Sequence, residues 1–308
     1  MKVSVLICTY KRKQLLEKCL KSLIDYAFEL PDEIVIVDGE KGELKEVVER
    51  WKAKFPNIKL VPTENINLAN SRNKGLPYCS GEIIALTDDD CLVEKDWVQK
   101  IKRLHKEHPE AGVIGGRVKS VGDRLIDKVS DLVIFPFPKK PAYLRTVAGA
   151  NCSYKIDAIK KVSGYDENLF RGEDVDFNWR IIKAGYKIYY DPNLVVYHHH
   201  RSTWKGLFYQ LFMYGRNYYL VRKKWPDMYC VCPHKIRNFK DILKLINFFL
   251  TTLYQPLLMS FKIRGFTNKI ISYPFLIIAN TFWKLGIVKE AFSKKVNLIK
   301  NGERTLSE

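Results

Sequence analysis

Ile83-Ile84-Ala85-Leu86-Thr87-Asp88-Asp89-Asp90 passes from an aliphatic run directly into three adjacent carboxylates. An apolar run of this length, bounded by polar residues, reads as a buried strand, and the acids then occupy the turn beyond its carboxyl end. Working outward, the same pattern recurs. Residues 3–8 lead into Thr9-Tyr10-Lys11-Arg12, residues 34–37 lead into Asp38-Gly39, and residues 58–61 and 113–118 are further apolar runs. Between them, residues 14–27, 43–54, 68–78 and 97–105 carry apolar side chains at helical spacing. This alternation predicts an α/β fold with a mainly parallel sheet and helices on both faces. In such sheets ligands bind beyond the carboxyl ends of the strands, where the polar clusters fall. After Arg145 the pattern changes: residues 157–162 and 174–184 read as helices, and 187–190 and 194–197 as short strands.

Composition is that of a globular chain, 46% hydrophobic and 28% charged over 308 residues. The charge is unevenly placed. Of the net +18, +14 falls from Arg201 onward, where 19 Lys/Arg face 5 Asp/Glu, leaving a nearly balanced first two thirds. A basic final third points to an anionic partner: nucleic acid, membrane or phosphorylated ligand. The first ten residues turn polar too soon for a signal peptide, and the seven scattered cysteines read as reduced thiols, so a cytosolic setting is expected. Cys230, Cys232 and His234 lie close together but lack a second ligand pair at zinc-finger spacing.

Three clusters carry chemistry. Three adjacent carboxylates repel one another unless a cation or hydrogen-bond donors compensate, so Asp88-Asp89-Asp90 reads either as a solvated acidic turn or as a hard-cation site for Mg²⁺ or Mn²⁺. In an extended turn Asp88 and Asp90 would converge. Second, Glu173-Asp174-Val175-Asp176 opens a helix, where the dipole favours acids; Asp176 can pair with Arg180 one turn on, which leaves Glu173 and Asp174 as candidates for a general base. Third, His198-His199-His200 follows an apolar strand, so His198 and His200 share a face and one of them can complete a metal site or contact phosphate. Neither a G-x-G-x-x-G after the first strand nor a Walker A sequence occurs, so a bound nucleotide must be held by other means.

Together these clusters resemble the family 2 glycosyltransferases of the Rossmann-like GT-A fold, from Val3 to about Tyr219. The resemblance rests on Val5-Leu6-Ile7-Cys8-Thr9-Tyr10-Lys11-Arg12, Ile34-Val35-Ile36-Val37-Asp38-Gly39, Asn70-Ser71-Arg72-Asn73-Lys74-Gly75 and Leu86-Thr87-Asp88-Asp89-Asp90, and continues in Gly149-Ala150-Asn151-Cys152, Gly164-Tyr165-Asp166-Glu167, Glu173-Asp174 and His198. It implies transfer of a sugar from a UDP- or GDP-sugar by single displacement with inversion, assisted by Mn²⁺ or Mg²⁺. Thr9, Tyr10 and Asp38 would line the nucleobase pocket, with Arg12 nearby and Arg72 at the diphosphate or ribose. Asp88 and Asp89 would lie on the nucleotide-sugar side, Asp90 and His198 would hold the metal, and Asn151 would contact donor sugar or acceptor. Asp174 would be the catalytic base, with Glu173 close to the acceptor. Processive members carry QxxRW after the Glu-Asp motif; here Gln210 to Arg216 has no Arg-Trp in register, which argues for adding one or a few sugars.

The expected organisation is a catalytic domain over residues 1–203, with a nucleotide-sugar half to 120 and an acceptor half from 121, followed by a basic, aromatic helical region over 204–308. Residues 242–261 are long enough to span a bilayer of ~30 Å, yet Lys240, Lys244, Asn247, Thr251 and Gln255 recur as one polar stripe, whereas the uncharged run 270–283 is short for a span. The expectation is therefore helices lying in the interface at the cytoplasmic face of a membrane, peripheral or monotopic, near a polyprenyl-phosphate-linked acceptor, with spanning helices and a soluble helical extension as the alternatives. Two rivals explain less. A sugar nucleotidyltransferase would carry a Gly-rich, basic loop after its first strand, and a nucleic-acid-binding protein would not gather three acidic clusters.

Overall fold

The computed structural model describes residues 1–228, 236 and 238–293, so the Cys230, Cys232 and His234 group lies outside the described residues. The first half alternates as its apolar runs predict: β1 Val3–Thr9, α1 Lys13–Ile24, β2 Glu33–Asp38, α2 Lys45–Lys52, β3 Ile58–Pro62, α3 Leu68–Gly75 and β4 Ile83–Thr87. Strands β2 and β4 are buried at every residue, as parallel strands covered by helices must be. The helix expected over 68–78 is α3 followed by a 3₁₀ turn, Leu76–Tyr78, because Pro77 has no amide for an α-helical bond. The chain continues through β5 Cys91–Val93, α4 Trp97–Glu107, β6 Ala111–Ser120, α5 Leu125–Ile134, β7 Ala142–Leu144, β8 Asn151–Lys155, α6 Ile156–Val162, α7 Glu173–Lys183 and β9 Lys187–His198.

The nine strands among the described residues form one sheet, ordered β3-β2-β1-β4-β8-β6-β9-β5 with β7 on β9. The first four are parallel neighbours, while β8 runs antiparallel to β4, β6 to β8 and β5 to β9. Register then does the assembling. Thr87 pairs with Asn151 and Cys91 with His198, so the turn carrying Asp88, Asp89 and Asp90 is held between the start of β8 and the end of β9. The two short strands expected over 187–197 are one strand. Pro192 is tolerated because it falls where pairing on that edge passes from β7, last at Tyr190, to β5, first at Val196.

Two compact units emerge. The sheet unit comprises Met1–Lys119 and Phe137–His199; the helical unit comprises Ser120–Pro136 and the described residues from His200 onward. The segment 120–136, expected in the acceptor half, thus groups with the C-terminal helices, because Ile126 and Val129 of α5 share an apolar core with them. Those helices are α8 Trp204–Lys224, α9 Phe239–Ser260 and α10 Phe266–Ala291. Helices α8 and α10 run parallel in near backbone contact: Trp204 stacks on Phe275 at 3.9 Å, Arg216 Nε meets Glu290 Oε2 at 2.8 Å, and a Cβ on Gly215 would lie 1.8 Å from the Trp283 carbonyl. Helix α9 returns antiparallel along α10, where buried Lys284 donates to Thr251 and Thr252 at 2.6 and 2.8 Å and to the Phe248 carbonyl. The expected polar stripe is broken here, since Thr251 is buried against α10, while Leu243, Ile246, Phe249, Leu250, Leu253 and Leu257 are exposed. The run 270–283 that looked short belongs to a 26-residue helix, and both α9 and α10 are long and apolar enough to cross a bilayer.

Candidate functional site

The acidic turn divides its side chains between two tasks. Asp89 points beneath the end of β1, where Thr9 Oγ1 donates to it at 2.7 Å and Arg12 Nη1 at 3.0 Å. Burial lifts the Asp89 carboxyl to about 6 against the opposing pull of Arg12. Arg12 also donates to Asp90 at 2.7 Å, so one guanidinium fixes two of the three acids. Asp88 and Asp90 converge instead with Cys91 and His198, all four offering ligand atoms within 4.8 Å of one another. Burial, and then repulsion from Asp90, raise the Asp88 carboxyl above its ordinary range. His198 Nε2 lies 3.2 Å from Asp90 Oδ1, and the His199 amide donates to the Asp90 carbonyl at 3.0 Å, which pins the turn to the end of β9.

This donor set fits a hard divalent cation. Two carboxylates and an imidazole suit Mn²⁺ or Mg²⁺, while burial pushes the Cys91 thiol far up and keeps it protonated. His200 does not share the site face with His198: the strand ends at His198, and the buried His200 ring meets Asp131 of α5 at 2.9 Å within the helical unit.

A second acidic group opens α7. Gly172 adopts φ 77°, a left-handed turn that suits glycine, and swings Glu173 and Asp174 into the first helical turn. Asp176 pairs with Arg180 at 2.8 Å, as the spacing predicts. Glu173 is buried and accepts from Arg72 Nη1 at 2.9 Å; burial and the adjacent Asp174 raise it to about 7 against the pull of Arg72. The Asp174 carboxylate is oriented by the Val175 amide at 2.8 Å and the Gly149 amide at 3.2 Å, leaving acceptor capacity on both oxygens.

Arg72 joins the two groups. It is 3% exposed, reaches Asp88 Oδ1 at 3.8 Å, and sits with its guanidinium 5.3 Å from the Tyr165 ring centre. Gly149 permits this, since a Cβ there would fall 2.6 Å from Arg72 Nη2. Tyr165 is held in turn by α3: Asn73 exchanges hydrogen bonds with both its backbone groups at 2.8 and 2.9 Å, and Glu167 accepts from Asn70 and Asn73 at 2.7 and 2.8 Å. The latch joins segments more than 90 residues apart, and its signal in the sequence is the set of asparagines at 67, 70 and 73, on one face of a helix.

Two expected binding residues turn out to be occupied differently. Asn151 is wholly buried, accepting from Trp97 Nε1 at 2.9 Å and donating to the Arg117 and Leu194 carbonyls at 2.9 and 2.8 Å. With its amide spent on joining α4, β6 and β9, it has no surface for a sugar, and that assignment is corrected. Asp38 is also wholly buried, and its carboxylate accepts the Glu40, Gly42 and Leu44 amides at 2.9, 2.9 and 3.2 Å, which shapes the loop after β2. Tyr10, half-buried beneath Lys11 at 5.4 Å, stands at the end of β1. A separate cavity of about 450 Å³, lined by Pro77, Ser80, Glu82 and Lys160 among others, lies at the amino end of β4, opposite the acids.

Known proteins resemble this chain in sequence and in fold. The chain is 29% identical over 189 residues to the glucosyl-dolichyl phosphate glucuronosyltransferase of Haloferax volcanii, a match covering 56% of this chain and 59% of that protein. It is 23% identical over 232 residues to a dolichyl N-acetyl-α-D-glucosaminyl phosphate 3-β-D-2,3-diacetamido-2,3-dideoxy-β-D-glucuronosyltransferase of Methanococcus voltae, covering 69% and 71%. Among solved structures, a Pyrobaculum calidifontis mannosyltransferase in complex with GDP-Man and Mn²⁺ superposes with a TM-score of 0.64 at 19% identity, over 96% of this chain and 88% of that one. Staphylococcus aureus TarS residues 1–349 superpose with a TM-score of 0.54 at 16% identity, over 94% and 91%. The Glycosyl transferase family 2 pattern covers residues 4–159 and that of Glycosyl transferase family group 2 covers 83–286, together taking in the acidic turn, the Glu-Asp pair and His198. With its acids at the carboxyl end of a GT-A sheet, the chain belongs to glycosyl transferase family 2.

Proposed function

We propose that this chain is a glycosyltransferase that moves a sugar from a UDP- or GDP-sugar onto a lipid-linked acceptor, of the polyprenyl-phosphate class, by single displacement with inversion. The observation that carries this reading is the convergence of Asp88, Asp90 and His198 on one side of buried Arg72, with Glu173 and Asp174 on the other. Asp88, Asp90 and His198 would hold a Mn²⁺ or Mg²⁺ ion, which when bound offsets charge on the departing diphosphate. Asp174, oriented by two amides and only half-buried, accepts the proton of the attacking hydroxyl, a contribution of roughly 10²–10⁴-fold in rate. Thr9, Arg12 and Asp89 stiffen the donor side, and Tyr10 at the end of β1 flanks the base. The nucleotide sugar and Mn²⁺ of the archaeal mannosyltransferase complex support the donor class, and the dolichyl-phosphate substrates named for both archaeal relatives support the acceptor class. Apolar α9 and α10 support work at a membrane, which we assign to its cytoplasmic face.

The test separates binding from transfer. A nucleoside diphosphate should raise the melting temperature of the parent chain in the presence of Mn²⁺, because it binds the folded state. Asp90→Ala should lose that metal-dependent increment, and Asp174→Asn should keep it while losing transfer. Metal-dependent stabilisation that survives in Asp90→Ala would overturn the cation site.

A further inference from the structure

The turn between α9 and α10, Phe261 to Gly265, is not a free tip. Ile263 at its centre is 5% exposed and packs with Ile126 and Val129 of α5, Leu207 and Leu211 near the start of α8, and Leu276 of α10. On either side of Ile263, Lys262 and Arg264 are exposed. The position of this turn is bounded by covalent reach. Ile126 lies six residues beyond the end of β6 at Ser120, and Leu207 nine beyond the end of β9 at His198, partly in helix. Six extended residues reach about 20 Å, short of the ~30 Å hydrocarbon core of a bilayer. A hairpin with this turn on the far side of a membrane would tear Ile263 from that core.

From this we infer that α9 and α10 form a monotopic layer lying in one leaflet of an anionic membrane, with the α9–α10 turn and the opposite end of the pair at the same face of the bilayer. Taking from the proposed function only that the protein works at a membrane, the inference assigns how it sits there. The exposed surface of the pair is mostly apolar: Leu243, Ile246, Phe249, Leu250, Leu253, Leu257 and Phe261 on α9 and its end, and Phe266, Ile270, Ile271, Ile278, Phe282 and Leu285 on α10, are all at least 37% exposed, with Lys244, Asn247 and Gln255 as the exposed polar residues within α9 after its first turn. Charge fixes the partner. Exposed cations stand at both ends of the layer, Lys262 and Arg264 at the turn and Lys240, Lys244 and Lys289 at the other. A spanning pair would have to carry that second basic group across the bilayer, whereas a layer in the headgroup plane lets both ends meet acidic lipid.

Sidedness tests this directly on the full chain. Lys262→Cys, Lys240→Cys and, as a reference on α4 of the sheet unit, Lys106→Cys are expressed, and sealed membrane vesicles are treated with a membrane-impermeant maleimide. Equal labelling of all three above the parent, with or without detergent, is expected. Labelling of Lys262→Cys or Lys240→Cys on the opposite side from Lys106→Cys would overturn the inference in favour of spanning helices. Absence of the parent chain from the membrane fraction would overturn it in favour of a soluble helical extension. The charge-reversed Lys262→Glu, Arg264→Glu chain should bind vesicles of one-third anionic lipid at least about tenfold more weakly, and unchanged binding would also count against the layer. None of these readouts involves sugar transfer, so failure of the transferase mechanism and failure of the layer are told apart.

Discussion

At the scale of single residues, polar groups are sorted by whether their partners leave anything for a ligand. Asn151 has spent its amide on Trp97, Arg117 and Leu194, so Asn151→Ala should cost about 2–4 kcal/mol, because it strands a buried indole N–H and two carbonyls. Chemical denaturation checks this; unchanged stability with a raised donor KM would restore a ligand role. Glu173 is the opposite case, a carboxyl whose folded value of about 7 stands above its ordinary 4.5. Between those values the folded chain keeps a proton that the unfolded chain has released, so stability falls as pH rises through the window and levels off above it. The contribution is at most about 3 kcal/mol. Glu173→Gln should remove that decline, read as the difference between parent and variant in unfolding free energy at pH 5 and pH 7.5. Parallel curves would mean that Arg72 keeps Glu173 ionised throughout.

At the scale of elements, the latch between α3 and the turn at 164–167 is the device that holds Tyr165 against Arg72. Asn73→Ala should cost about 1–2 kcal/mol and lower kcat more than it raises KM, since Arg72 would lose its ring support while the acidic turn stayed intact. Melting curves with steady-state rates decide it, and a pure KM effect would point to a donor-binding role for α3. What could be read from sequence follows the same physics. Strands β1, β2 and β4 announced themselves because burial on both faces demands apolar runs, edge strand β3 keeps Lys59 exposed among its apolar residues, and the acids after β4 marked the site end of the sheet. Strand β8 did not, because its inward residues are polar: Asn151 is paired with Trp97, and Ser153 with His105 at 2.9 Å. Strands β5 and β7 have three residues each, too few for any period to show. The convergence of Asp88 and Asp90 was legible from alternation, whereas the joining of both acidic groups through Arg72 needed contacts 101 residues apart.

At the scale of the whole molecule, the excess of cations belongs to the helical unit, so binding to acidic vesicles should weaken as salt rises, with screening acting over ~8–10 Å near physiological strength. Co-sedimentation between 50 and 500 mM salt, roughly spanning that screening range, measures it, and residual binding at the high end reports the apolar surface. The helical unit is also discontinuous, since α5 is encoded between β6 and β7 while its packing partners come after residue 200. No single truncation can therefore release a clean catalytic fragment. A chain stopped at residue 203 still carries Ile126 and Val129, now with nothing to cover them, and should aggregate on purification rather than behave as a free enzyme. Adding Ile126→Gln and Val129→Gln to the shortened chain should recover monodisperse protein in light scattering. Gene architecture and physical architecture differ here, and anyone dissecting the protein must cut it in two places.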